Sequence, residues 1–242
     1  MPLPKLTTPT YELEVPSTGK KIKYRPFLVK EEKILLLAME TEDEKHMADA
    51  VKTILSNCIQ TARFKVDTLS LFDIEYIFLN IRGKSIGETV ELNITCPDDG
   101  VTVVPVTIDL DDIKVQKSDD HTNIIKLTDE VSVVMKYPSM DLFIKNNMKE
   151  YSSEIDDVFE IASLCIDQVV EGEDVYESSN FSNKEILEFL EGMDTKQFVE
   201  VQKFFETMPK LSHTVKIKNP ETKVESEVVI RDYQVFSHSP VT

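Results

Sequence analysis

Apolar and polar side chains alternate from Tyr11 to Val15 and from Lys21 to Tyr24, on either side of Pro16-Ser17-Thr18-Gly19, which predicts a β-hairpin. Pro26 ends the second strand, because it brings no N–H to a ladder and biases Arg25 towards extended geometry. From Val29 to about Glu40 the period turns helical. Met47, Val51, Ile54 and Cys58, recurring at spacings of three and four, predict a second helix. Ser70 is placed to cap a third, with Asp73 in its first turn, Leu71, Ile74, Phe78 and Ile81 as its stripe and Gly83 as its stop. Val90, Leu92, Ile94 and Cys96 then alternate, Pro97-Asp98-Asp99-Gly100 turns the chain, and Val104, Val106, Ile108 and Leu110 alternate back.

The second half follows the same order. Asn123 to Leu127 and Val131 to Tyr137 form a hairpin around Thr128-Asp129-Glu130, followed by Pro138 and a short helix from Ser139. Ile155, Val158, Phe159, Ala162, Cys165, Ile166 and Val169 outline a long amphipathic helix. Ser182 with Glu185 and Asp194 with Gln197 are capping boxes for two more, the second carrying Phe198, Val201, Phe205 and Met208 before Pro209. A last hairpin runs from Val215 and Ile217 through Asn219-Pro220-Glu221 to Val228 and Ile230. The expected fold class is α+β, with β-hairpins alternating with amphipathic helices. The expected halves are 1–115 and 116–242, divided within residues 111–122. A degenerate internal duplication accounts for the order. Its anchors are Tyr24-Arg25-Pro26 against Lys136-Tyr137-Pro138, and Ile94 to Asp98 against Ile217 to Glu221. The plainer alternative is that hairpins and capped helices look alike in any α+β chain.

Charge changes the picture. Among 242 residues, 27 Lys and Arg stand against 44 Asp and Glu, a net charge of −17 that repels nucleic-acid backbones and anionic lipid heads. Nucleic acid is therefore not an expected partner. Neither is membrane insertion expected: the longest uncharged apolar run, Ile34 to Met39, falls far short of the ~20 residues of a spanning helix. The N-terminus carries no secretory signal, and Cys58, Cys96 and Cys165, odd in number and widely spaced, read as reduced thiols. The charge is also uneven. Residues 139–200 hold 16 acidic and 4 basic side chains, while Lys20, Lys21, Lys23, Arg25, Lys30 and Lys33 cluster around the first hairpin and helix. Such polarity either solubilises helix exteriors or steers docking to neighbours in an assembly.

No motif supports catalysis, a cofactor or a metal. Gly83-Lys84-Ser85 resembles the end of a phosphate-binding loop, but Phe78 occupies the position of the required first glycine, and strand and helix come in the wrong order. It reads as a helix C-cap. Asp109, Asp111 and Asp112 lack the glycine and terminal glutamate of a calcium loop. Cys96-Pro97 needs a second nearby cysteine to grip zinc, and the corresponding later turn carries Asn219. His46, His121, His213 and His238 show no pairing with a nucleophile.

Pro16 to Lys20, Tyr24-Arg25-Pro26-Phe27, Val29-Lys30-Glu31-Glu32-Lys33 and the leucine run resemble the opening of the baseplate hub proteins of T-even-type contractile-tailed phages, cyanophage relatives included. The resemblance extends through Phe72 to Arg82 and the Cys96-Pro97 hairpin, and fades after about residue 140. It implies a non-enzymatic virion component of the tail baseplate, made in the host cytoplasm. Other baseplate or tail proteins, or further copies of itself, are then the expected partners. The alternatives are an assembly chaperone for a hub or tape-measure protein, absent from the mature particle, and a thiol or metal-dependent hydrolase. Tyr24, Arg25, Phe27 and Lys30 are the expected interface, since Tyr and Arg are enriched at binding hot spots. In the competing reading, Tyr24 and Phe27 pack the first helix onto the hairpin.

Overall fold

The computed structural model describes residues 6–41, 43–140, 142 and 154–231. In chain order its elements are β1 (Tyr11–Glu14), β2 (Lys21–Tyr24), α1 (Val29–Met39), α2 (Glu44–Cys58), α3 (Leu71–Ile86), β3 (Thr89–Thr95), β4 (Val103–Asp109), β5 (Lys114–Gln116), β6 (Ile124–Lys126), β7 (Val131–Met135), α4 (Glu154–Cys165), β8 (Ile166–Glu171), β9 (Asp174–Glu177), α5 (Asn183–Glu191), α6 (Thr195–Thr207), β10 (Lys210–Lys218) and β11 (Glu225–Arg231). The fold is α+β, with small antiparallel sheets as the alternation requires. Two units divide it. The first comprises 1–66, 72–116 and 210–242; the second comprises 67–71 and 117–209. Division by sequence order puts the last hairpin in the C-terminal half, whereas in the fold β10 and β11 complete the first unit.

In the first unit, Leu13 of β1 faces Ile22 of β2 across the predicted hairpin. The hairpin is stitched to the end of α2: Arg25 N–H donates to the Cys58 carbonyl at 3.0 Å and Gln60 N–H to that of Lys23 at 2.7 Å. Asp43 starts α2 by accepting from the Lys45 and His46 amides. Glu31 starts α1 differently. Its carboxylate turns back to accept from Leu28 N–H at 2.9 Å and from Arg25 Nη2 at 3.0 Å, and its side chain is completely buried. Burial alone raises this carboxyl's pKa, but the bonds from Arg25 and Leu28 outweigh it and hold the group below the usual glutamate range.

Gly83 is not the stop of α3. The helix runs on to Ile86 and ends before Gly87, whose φ is +140. Gly83 is buried instead, and a Cβ there would meet Leu110 Cδ1 at 3.5 Å, so its smallness serves close packing. Beyond α3, β3 and β4 pair over their full length, and β11, β10 and β5 form a three-stranded sheet. Leu79, Val90, Leu92, Ile94, Ile108, Leu110, Leu211, Val215, Ile217 and Ile230 share one buried core, which matches the inward positions of the strand alternation.

The second unit is a four-stranded meander, β6-β7-β8-β9, packed with α4, α5 and α6 around Val133, Met135, Ala162, Cys165, Leu190, Val201 and Phe204. The capping boxes at Ser182/Glu185 and Asp194/Gln197 are both formed. The long helix is shorter than its period suggested: α4 ends at Cys165, and Ile166 and Val169 lie in β8. The tertiary environment decides this. Val169 is opposite both Val133 and Tyr176, and Gln168 to Glu171 are paired on both edges, so the β-branched Val169 and Val170 are held in the sheet. Gly172, at φ +59, then turns the chain into β9, a hairpin that the helical reading hides. The short helix expected from Ser139 falls largely outside the described residues.

Removing Glu31 leaves a mostly buried guanidinium without its counter-charge. Glu31→Ala is expected to cost about 3–5 kcal/mol in urea unfolding, and a paired Arg25→Met should recover part of that loss. Because the folded carboxyl is depressed, the pair's contribution is full above the unfolded value near ~4.3 and fades as pH falls through the folded one. A pH series of urea midpoints on the native and variant chains checks the sign.

Candidate interaction surfaces

The four side chains expected at an interface are divided by the fold. Tyr24 and Phe27 are buried. Burial pushes the Tyr24 phenol up, with Lys84 opposing. Arg25 is occupied by Glu31, by the Pro26 carbonyl at 2.8 Å and by Cys58 Sγ at 3.7 Å. Lys30 is exposed, with its ammonium 3.3 Å from Glu31 Oε1. A hot-spot argument based on residue type alone could not separate these cases, because Tyr and Arg are equally at home in a satisfied core.

What surrounds Lys30 is more informative. Ile34 to Met39 is apolar at every position, and successive residues of a helix point around its whole circumference, so no single core can cover them all. Val29 and Leu37 are 79% and 52% exposed, and Lys33, exposed between them, follows the i, i+4, i+8 row that places all three on one face. Leu28 is exposed beside them. The outward side of α1 thus carries Val29 and Leu37 on either side of Lys33, with Lys30 beside them.

The second unit carries an apolar surface of opposite charge. Val131, Ile166, Val169, Tyr176, Phe181, Ile186 and Phe189 line an open groove of about 410 Å³ with Glu171 and Glu185 among its walls. Tyr176 and Phe181 are both more than 40% exposed, their ring centroids 6.4 Å apart. The Glu185 carboxylate accepts from Ser182 N–H at 2.8 Å and from its hydroxyl, bonds that lower its pKa and keep it charged at the groove.

His121, which showed no pairing in the sequence, sits in a hydrogen-bonded cluster. Its Nε2 is 2.9 Å from the Tyr137 hydroxyl and its Nδ1 is 3.0 Å from Thr207 Oγ1; its ring lies against Tyr137 and Phe204. Thr207 gives its own proton to the Lys203 carbonyl at 2.7 Å. The consistent assignment is a neutral imidazole protonated at Nδ1, which donates to Thr207 and accepts from Tyr137 at Nε2. Burial, with help from the charge of Lys117, lowers the His121 pKa. Both nitrogens are engaged in holding the unit together.

The thiols and carboxylates are likewise engaged in structure. Cys58, Cys96 and Cys165 are buried and unpaired by disulfides. Burial pushes the thiols of Cys58 and Cys165 up to about 11 and about 12, far from the thiolate that nucleophilic chemistry requires. Asp109 caps the turn at Leu110–Asp112 by accepting from Asp111 N–H. Among the described residues, no group of three or more His, Cys, Asp or Glu is arranged to hold a metal, and no helix is long and apolar enough to cross a membrane.

The chain is thus an α+β protein of small antiparallel sheets with exposed apolar surface on α1 and beside β8 and β9. Residues 8–236 match the family described as T4 bacteriophage base plate protein, nearly the whole chain, and the protein belongs to that family. No curated protein and no solved structure matches it.

A neutral, doubly bonded His121 makes stability fall on acidification. Its folded pKa lies below the unfolded value near ~6.5, so its contribution is complete above that pH and is lost as pH falls through the folded value. Thermal midpoints between pH 8 and pH 5 are expected to drop less steeply for His121→Gln than for the native chain.

Proposed function

We propose that this protein is a non-enzymatic component of the baseplate hub that takes part in hub and tail assembly through protein–protein contacts. Family membership supports the baseplate role and implies phage tail proteins as partners and the virion tail baseplate as the location. The observation that carries the contact reading is the exposed Val29–Lys33–Leu37 row on α1, two apolar side chains around a cation on a chain of net charge −17. A partner with an acidic-rimmed apolar surface suits it. The groove of the second unit offers that chemistry on another copy of the chain, and such a head-to-tail contact is heterologous and closes into a ring or extends.

The chaperone reading keeps one observation of its own. A strongly acidic chain stays soluble while it holds an aggregation-prone client, and a holdase leaves once the client is built in. Quantitative mass spectrometry of purified particles beside infected-cell lysate separates the two. A fixed copy number in particles is expected for the hub component; abundance in lysate with absence from particles identifies the chaperone.

Val29→Glu with Leu37→Glu is expected to change unfolding stability by no more than about 0.5 kcal/mol per site, as exposed positions do, while abolishing incorporation or client binding. Retained incorporation at full level rejects α1 as the contact face.

A further inference from the structure

Two turns of the first unit use the backbone geometry that Val15 to Gly19 also uses between β1 and β2, where Gly19 N–H donates to the Val15 carbonyl at 2.8 Å with φ +67. Cys96-Pro97-Asp98-Asp99-Gly100 joins β3 to β4, and Asn219-Pro220-Glu221-Thr222-Lys223 joins β10 to β11. In each, the fifth residue donates its N–H to the carbonyl of the first, Gly100 to Cys96 at 2.9 Å and Lys223 to Asn219 at 3.0 Å. The first residue's N–H in turn reaches the carbonyl just ahead of the returning strand, Cys96 to Thr102 at 2.7 Å and Asn219 to Val224 at 2.9 Å. The fifth residue stands in the left-handed region in both, at φ +68 for Gly100 and +65 for Lys223. A lysine accepts that conformation only where the surroundings impose it.

The tips of these turns meet through their side chains. Asn219, almost fully buried, donates from Nδ2 to Asp99 Oδ2 at 2.8 Å and to the two Asp98 carboxylate oxygens at 3.2 and 3.1 Å. The Thr222 hydroxyl donates to Asp98 Oδ2. Within each turn one side-chain oxygen also accepts backbone amides. Asp99 Oδ1 takes Val101 and Thr102 N–H, both at 3.0 Å; Asn219 Oδ1 takes Glu221 at 2.8 Å and Thr222 at 3.3 Å. Asn219 and Asp99, the first residue of one turn and the fourth of the other, are thus in direct contact, and Cys96 lies buried at the start of the same tip.

A Cys-x-x-Cys turn presents its first and fourth residues to a metal, and two such turns on facing hairpins make the tetrahedral Cys₄ site of a zinc ribbon. The strand arrangement here also suits that architecture, a two-stranded β3–β4 hairpin beside the three-stranded β11–β10–β5 sheet. We propose that these turns are zinc-ribbon knuckles whose metal has been replaced by hydrogen bonds among Asn219, Asp98, Asp99 and Thr222, leaving Cys96 as the single thiol of the set.

A separate recurrence supports treating the turns as equivalent. Arg25 N–H donates to the Cys58 carbonyl at 3.0 Å, and Lys136 N–H donates to that of Cys165 at 2.7 Å. The residue after each cysteine pairs with the hairpin: Ile59 with Tyr24, and Ile166 with Met135. Two stretches of chain thus begin with the same hairpin-to-helix-end contact, and the Cys96 and Asn219 hairpins come after them in the same order.

Cobalt(II) titration of the full chain under reducing, anaerobic conditions is the test. The native chain is expected to bind no cobalt and to melt unchanged in chelator. Asp99→Cys/Asn219→Cys/Thr222→Cys completes four thiols with Cys96; it is expected to bind one equivalent and to show thiolate-to-cobalt charge transfer and tetrahedral d–d absorption. Cys96→Ser in that background should weaken binding by about tenfold or more. If the triple variant folds only when zinc is present, metal-coupled folding supports the proposal equally. Three outcomes overturn it: metal uptake by the native chain through Cys96, a folded triple variant without the tetrahedral spectrum, and a triple variant that zinc cannot refold.

Discussion

The pairing of β5 with β10 is the constraint on which the rest of this architecture depends. Gln116, where the chain leaves the first unit, is the antiparallel partner of Lys210, where it returns; Val115 faces Leu211 and Lys114 faces Ser212. Departure and return side by side are what allow a whole unit to be carried between two neighbouring strands at small cost, because the entropy of closing a loop grows only logarithmically with its length. Without that short ladder, β10, and with it β11, loses its tie to β5. Leu211, Val215, Ile217 and Ile230 lose with it the core they share with β3 and β4.

A second constraint is electrostatic and local. A buried carboxylate is tolerated only with matched charge and hydrogen bonds, and Glu31 has both, from Arg25 and from the amide at the head of its own helix. The pair sets where α1 begins and commits Arg25 to the interior. The apolar run that follows is too continuous for one face to bury, so α1 leaves Leu37 in water, on the same face as the exposed Val29. The contact proposed above would use that exposed face. This ties the packing of α1 to the baseplate reading.

Much of the fold is legible because it is written in short-range rules. Strand alternation in Val90 to Cys96 and Val104 to Leu110, the Ser182 and Asp194 capping boxes, and the Pro-containing turns each depend on residues only a few positions apart. The failures have one source. Ile166 and Val169 continue the helical period of α4, yet belong to β8 because neighbouring strands recruit them. Gly83 looks like a stop but is an accommodation to Leu110, a contact no local pattern announces. For the candidate surfaces, Lys30 was readable as exposed. Tyr24 and Phe27 could have gone either way, and the groove beside β8 and β9 was invisible while Ile166 and Val169 read as helix.

By itself, the sequence determined the fold class, most element identities and the net charge of −17, since each follows from composition or from neighbours along the chain. Tertiary structure alone decided the return of the last hairpin to the first unit, the burial of Tyr24 and Phe27, the bonding of His121 to Tyr137 and Thr207, and the meeting of Asn219 with Asp98 and Asp99. Each of these rests on contacts between residues well separated in the chain. Their free energy comes from desolvation and hydrogen-bond geometry that exist only after the chain has closed on itself.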